Sequence, residues 1–134
     1  MKCLSLKQPY SFLLSSGEKT IELRKWNTKF RGEFLIHSSK QTDVENCRRL
    51  RIDDSNLITG AIIGSAFLYD VKKYSNNEDF IKDKNRHFAA DAKYLEGYRY
   101  GFLVKNAKKL NQPIPYSGKL GFFEVNEFAI FSES

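Results

Sequence analysis

The residues 17–24, Gly17-Glu18-Lys19-Thr20-Ile21-Glu22-Leu23-Arg24, hold the densest set of side chains in this chain that could do chemistry. From Lys19 to Lys25 the sequence alternates, which puts Ile21 and Leu23 on one side of a strand and Thr20, Glu22 and Arg24 on the other. Gly17 lets the chain leave a preceding helix sharply and sets Lys19 at the mouth of that strand. If the polar face lines a cleft, an ammonium, a carboxylate and a guanidinium fork meet there. Such a cluster can clamp a phosphate or a carboxylate, and burial would perturb its pKa values. A lysine depressed in this way serves as general base or nucleophile. The same pattern also fits an exposed strand whose ion pairs are solvated and worth ~0–1 kcal/mol.

Further candidates flank this segment. Gln8 and Tyr10 sit either side of Pro9 at a helix start, where free N–H groups attract anions; Tyr10 equally fits a packing role. Trp26 shares the parity of Glu22 and Arg24 and could stack a base for ~1–3 kcal/mol, or close the core. His37, at a strand end beside Ser38 and Ser39, could orient a substrate, shuttle a proton, or be structural. His87 reads as a surface residue. Arg48, Arg49 and Arg51 fit either a phosphate track or a solvated helix face. Cys3 and Cys47 lack any metal-ligand spacing and read as small buried side chains in a reducing compartment. No metal or cofactor is implied.

The elements that must position these groups follow from composition and pattern. With 134 residues, 41% of them hydrophobic and 14% aromatic, the chain fits a single domain over 1–134 with a core of its own. No apolar run approaches a membrane span and no secretory leader opens the chain, so a cytoplasmic protein is expected. Residues 1–51 hold 11 basic against five acidic residues, the whole of the +6 net charge. A basic half interleaved with aromatics suits a polyanionic partner, although a merely soluble basic surface would look the same. Strands are expected at 2–6, 19–25, 32–38, 60–72, 98–105 and 119–125. A helix should run from Pro9 to Gly17, and Thr42 should cap another through Arg51 that turns Val44, Cys47 and Leu50 inward. Ser75 should cap a third helix, a fourth should lie near 88–95, and Pro113 and Pro115 should break the chain into a loop. This order lacks regular βα alternation, and an α+β fold, a small partly closed β-barrel of about five to six strands with helices packed outside, fits best.

Residues 17–24 also match the pattern GxKxxExR. With Leu4-Ser5-Leu6-Lys7-Gln8-Pro9-Tyr10 before it and Arg31-Gly32-Glu33-Phe34-Leu35-Ile36-His37 after it, the opening resembles the ASCH family, whose members look like the PUA β-barrel, and is similar to the ASCH domain of activating signal cointegrator. Gly118 to Val125 resembles that family's closing strand. The resemblance implies a cleft between barrel and helix that binds RNA or a nucleotide or nucleoside ligand, walled by Gln8, Tyr10, Lys19, Glu22, Arg24, Trp26 and His37. One branch of the family hydrolyses the amide of acetylated cytidine. There Lys19 would carry over, Glu22 stands where that branch has a threonine, and Glu78 is a positional match for its distant glutamate. The expected function is therefore nucleic-acid binding in a basic cleft. The alternative is a small metal-independent hydrolase of a modified nucleoside, with Lys19 and Glu22 as the working pair.

Overall fold

In a computed structural model the structure describes residues 1–126, the side chain of Ala92 aside. The elements run β1 (Lys2–Gln8), α1 (Tyr10–Ser15), β2 (Ile21–Arg24), β3 (Gly32–Thr42), α2 (Val44–Arg49), a 3-10 turn (Asp54–Asn56), β4 (Ala61–Lys73), α3 (Asn77–Lys82), α4 (Lys84–His87), a second 3-10 turn (Ala92–Glu96), β5 (Tyr100–Pro115) and β6 (Phe122–Glu124). No helix among the described residues is long and apolar enough to cross a membrane.

The strands form one six-stranded sheet in the order β2-β5-β4-β3-β1-β6. Only β1 and β3 run parallel; the other neighbours are antiparallel. Among the described residues no ladder joins β2 to β6, so the fold is barrel-like without a hydrogen-bonded seam. Side chains make the closure instead. Phe122 of β6 lies with its ring centroid 5.9 Å from Trp26, just beyond β2, and 6.1 Å from Phe102 of β5. These rings cap an interior of Leu4, Leu6, Phe34, Ile36, Leu68 and Val104. Trp26 therefore closes the core rather than presenting a stacking face.

Helix α1 plugs the barrel from one side, with Ser11, Leu13, Leu14 and Ser15 buried. It rests on Gly64 of β4, where a Cβ would land on the Lys108 carbonyl oxygen and come within 2.9 Å of the Ser15 side chain. Both expected capping residues are displaced by one position. Asp43, not Thr42, accepts from the Asn46 N–H at 3.1 Å, and Asn76, not Ser75, accepts from the Asp79 N–H at 2.9 Å. A carboxylate or amide oxygen caps as well as a hydroxyl, and Thr42 is already the last residue of β3. Helix α2 also stops at Arg49, short of the expected Arg51; Cys47 is buried as expected, whereas Val44 is 41% exposed.

The expected break at the prolines is overturned: β5 runs through both to Pro115, which pairs with Ala61. The Tyr116 N–H points to Gly60 at the β4 side, so by strand parity Pro113 and Pro115 face the opposite edge. Beyond Leu103 that edge carries no strand among the described residues, so the missing N–H groups cost no ladder bond there. The helix expected near 88–95 is instead α4 followed by the second 3-10 turn. With α3 these segments form an insertion between β4 and β5, and Tyr74 and Phe80 pack from it onto Ile21 and Leu23 of β2.

Gly64→Ala should therefore lower stability by ~1–3 kcal/mol through overpacking between α1 and β5. The urea midpoint reads this. An unchanged midpoint would mean that α1 lifts off β4 without loss.

Candidate functional site

The local sequence places Lys19 in a position unusual for a lysine. Gly17, at φ +84°, ends α1, and the Lys19 N–H then returns to the Leu13 carbonyl at 3.0 Å. This turn directs the side chain inward, leaving it 2% exposed. Its Nζ donates to the carbonyl oxygens of Ile21 at 2.6 Å and His87 at 2.7 Å, and lies 3.3 Å from Glu22 Oε1. An ammonium has three N–H donors, and three acceptors surround this one. The Tyr10 ring covers it at 5.3 Å from the centroid. Burial pushes the Lys19 pKa below its ordinary value, with the Glu22 carboxylate pulling in the opposite direction.

Strand parity gives the rest of the cluster. Ile21 and Leu23 turn toward Tyr74 and Phe80, while Glu22 and Arg24 turn the other way, as their alternation requires. Glu22 divides its two oxygens: Oε1 faces Lys19, and Oε2 accepts from Arg24 Nε at 2.9 Å and lies 2.8 Å from its Nη2 in an ion pair. Arg24 Nη2 also donates to the Ser5 carbonyl at 2.9 Å. Arg24 thus ties β2, at one end of the sheet, to β1 near the other. Its Nη1 has no hydrogen-bond acceptor among the described residues.

These groups form the floor of a cavity of about 290 Å³. Tyr10, Tyr94 and Tyr98 supply aromatic wall, with Lys7, Ser5 and Gln41 at its polar side. Lys25 sits over the outer Tyr98 ring, 5.3 Å from its centroid. His87 closes the back. Its Nε2 donates to the Phe80 carbonyl at 2.7 Å, and its Nδ1 accepts from the Ala89 N–H at 3.0 Å, a pattern that requires the neutral ring. The cavity floor therefore offers a fixed carboxylate edge and free guanidinium N–H groups side by side, between aromatic faces.

The family model of the ASCH domain matches residues 4–114. The chain belongs to the ASCH domain family. Solved structures similar to it include ASCH from Zymomonas mobilis, at 17% identity and TM-score 0.62, covering 84% of this chain and 71% of that one. A serine-to-alanine variant of the same protein gives 18% identity and TM-score 0.62, over 84% and 72% of the two chains. A tyrosine-to-phenylalanine variant gives 19% and 0.61, over 84% and 73%. At these identities the likeness is one of fold. Comparison with curated proteins finds no match.

Of the residues singled out from the ASCH pattern, the structure brings Tyr10, Lys19, Glu22 and Arg24 together in this cavity. Three others lie outside it. Gln8 is 1% exposed and is spent on the backbone, donating to the Ile58 carbonyl at 2.8 Å and accepting from the Phe12 N–H at 3.0 Å. Trp26 packs into the core. His37, 2% exposed, donates from Nε2 to the Tyr116 carbonyl at 2.7 Å and lies with Nδ1 2.8 Å from Ser5 Oγ. Arg48, Arg49 and Arg51 are all exposed, and of the three Arg49 alone bonds, among the described residues, to the Asn46 side chain and the Phe88 carbonyl. Glu78 is exposed in the first turn of α3 and does not line the cavity. Sequence inspection misplaced His87, which is buried, and passed over Tyr94 and Tyr98. Two tyrosines four apart in a polar stretch were the available signal for the latter.

Burial holds the His87 imidazole below its ordinary pKa of 6.5, and the neighbouring Lys19 charge adds to this against the opposing Phe80 hydrogen bond. Below that value the unfolded chain takes up a proton that the folded chain refuses, so the unfolded state gains with acidity. Denaturant midpoints should therefore fall as pH drops from about 7.5 to 5.5, and His87→Gln should flatten the slope. Midpoints of wild type that do not move over this window would show that His87 titrates alike in both states.

Proposed function

We propose that the protein binds single-stranded RNA by taking one unstacked base into the cavity over Glu22 and Arg24. The observation that supports it best is the fixed Glu22–Arg24 pair between tyrosine faces. A nucleobase presents acceptors and exocyclic amines on one planar edge, and splayed bases are held by hydrogen bonds to that edge together with aromatic stacking. The Nη1 N–H donors of Arg24 meet a base acceptor, Glu22 accepts from an amine, and Tyr94 and Tyr98 supply the stacking faces. Lys7 and Lys25 at the rim attract the phosphates, and the excess of positive charge in residues 1–51 speeds encounter. The cavity is near the lower end of the ~300–1,000 Å³ usual for small-molecule sites, which suits one base with part of its sugar.

A second reading, hydrolysis of the amide of a modified nucleoside, is favoured by one observation: Lys19 in the cavity floor is held below its ordinary pKa by burial. As an ammonium it is fully occupied by its three acceptors. Turnover would require the neutral amine, which could then take the proton of an attacking water with Glu22 beside it.

Fluorescence anisotropy with a labelled single-stranded RNA tests the first reading. Affinity should fall steeply with salt, and Tyr98→Ala should weaken binding by ~1–3 kcal/mol. No binding at about 50 mM salt, where electrostatic contacts are strongest, would overturn it. For the second, acetylated cytidine should be hydrolysed by wild type and not by Lys19→Ala. No product by chromatography after long incubation would dismiss that activity.

A further inference from the structure

A second depression, of about 460 Å³, lies beside the first, and Ser5, Ser39 and Gln41 line both. The wall between them has a topological cause. Between Leu6 and Gln8 strand β1 advances two residues, while its partner β3 advances from Ser38 to Thr42. Three residues of β3, Ser39 to Gln41, thus stand against the single Lys7 of β1, and the two in surplus push this stretch out as a bulge, a device that re-aims side chains at sheet edges. This bulge is the ridge that both cavities share.

The far side of the ridge differs in chemistry from the near side. Lys40 and Lys119 line it, no Asp or Glu does, and neither lysine has an acidic partner among the described residues. The backbone N–H groups of Ser117, Gly118 and Lys119 likewise have no acceptor among the described residues. The loop that carries them is held close by Gly118, where a Cβ would come within 2.8 Å of His37 Nδ1 and 2.9 Å of Ser5 Oγ. His37 in turn anchors the loop through the Tyr116 carbonyl, at 2.7 Å. The two unpaired ammonium groups and the free N–H donors make a surface for an anion, with no aromatic edge-reading pair of the Glu22–Arg24 kind.

We infer that the ligand of this protein spans the ridge: one base enters the cavity over Glu22 and Arg24, and the phosphate and the next nucleotide lie across Ser39 and Gln41 against Lys40 and Lys119. The unit recognised is then at least a dinucleotide of a single strand, not a free nucleoside. The inference rests on the base-binding reading of the first cavity and adds to it the class of ligand and the polarity-independent track for its backbone. It also gives His37 and Gly118 a positioning role, since they hold the loop that bears Lys119.

Displacement of a labelled single-stranded RNA octamer separates the two claims. Cytidine, cytidine monophosphate, cytidylyl dinucleotide and a tetranucleotide serve as competitors. The dinucleotide should compete at least tenfold better than the mononucleotide, and the double variant K40E/K119E should erase that gain while competition by free cytidine, which carries no phosphate, stays unchanged. The salt slope for the octamer should drop in the double variant by ~0.7 for each phosphate that is no longer neutralised. Mononucleotide binding with no gain from the dinucleotide, or a gain that survives the double variant, would overturn the inference and leave the base-binding reading standing. An acidic peptide that competes as well as the dinucleotide would also overturn it. No binding of mononucleotide, dinucleotide or octamer would overturn the base-binding reading itself.

Discussion

An ammonium group shut away from water needs a protein acceptor for each N–H, and in this molecule Lys19 sets that demand. Ile21, on its own strand, supplies one carbonyl; His87, at the end of α4, supplies another; Glu22 supplies a carboxylate oxygen. Meeting the demand fixes the start of β2, the end of the insertion between β4 and β5, and the rotamer of Glu22. The carboxylate then needs a cation on its second oxygen, which brings in Arg24, and the remaining reach of Arg24 extends to the Ser5 carbonyl. One buried charge thus propagates through three side chains to the two ends of the sheet.

Such a network is not an economical way to hold a fold. Desolvating an ion pair offsets most of its attraction, and well-packed apolar residues at the same positions are often neutral or stabilising by ~1–4 kcal/mol. The aromatic closure of Phe122 on Trp26 and Phe102 would hold the barrel without it. What apolar replacements cannot do is present a charged donor and a charged acceptor, preset in angle and dry on one side, to a ligand in the cavity. Loss of a single member would strand a buried charge, at ~3–5 kcal/mol, so site and fold are coupled. The buried side-chain polar atoms that this creates are all satisfied among the described residues.

Much of this was legible because alternation is a strong signal in a short strand. Lys19 to Arg24 announced both the core-facing pair and the polar pair, and the capping patterns located the starts of α2 and α3 to within one residue. Other features depend on tertiary context that one-dimensional patterns do not carry. Pro113 and Pro115 read as breakers because nothing in the sequence says that β5 has an empty edge there. Trp26 and Gln8 looked like ligand groups because their parity and neighbours suited it, yet closure of the sheet claimed the indole and unpaired backbone claimed the amide. His87 had no local pattern at all; its importance comes from a carbonyl that meets a lysine 68 positions earlier. The tyrosines of the insertion share that cause, since only the folding of residues 74–98 over β2 puts them at the cavity.

The insertion also explains why likeness to other ASCH structures does not transfer a function. The solved structures at 17–19% identity share the fold alone, and a fold of this kind hosts whatever its grafted walls allow. Here the floor of the cavity comes from β2, but two of its three tyrosines come from the insertion, and the ridge at its other side comes from a bulge in β3. Each wall therefore has a separate structural origin and can vary without disturbing the barrel. The Lys19–Glu22–Arg24 chain is the part whose members cannot vary one at a time, because loss of any one strands a buried charge. Under the proposed base-binding reading the motif supplies the floor of the cavity, and the walls determine which ligand it takes.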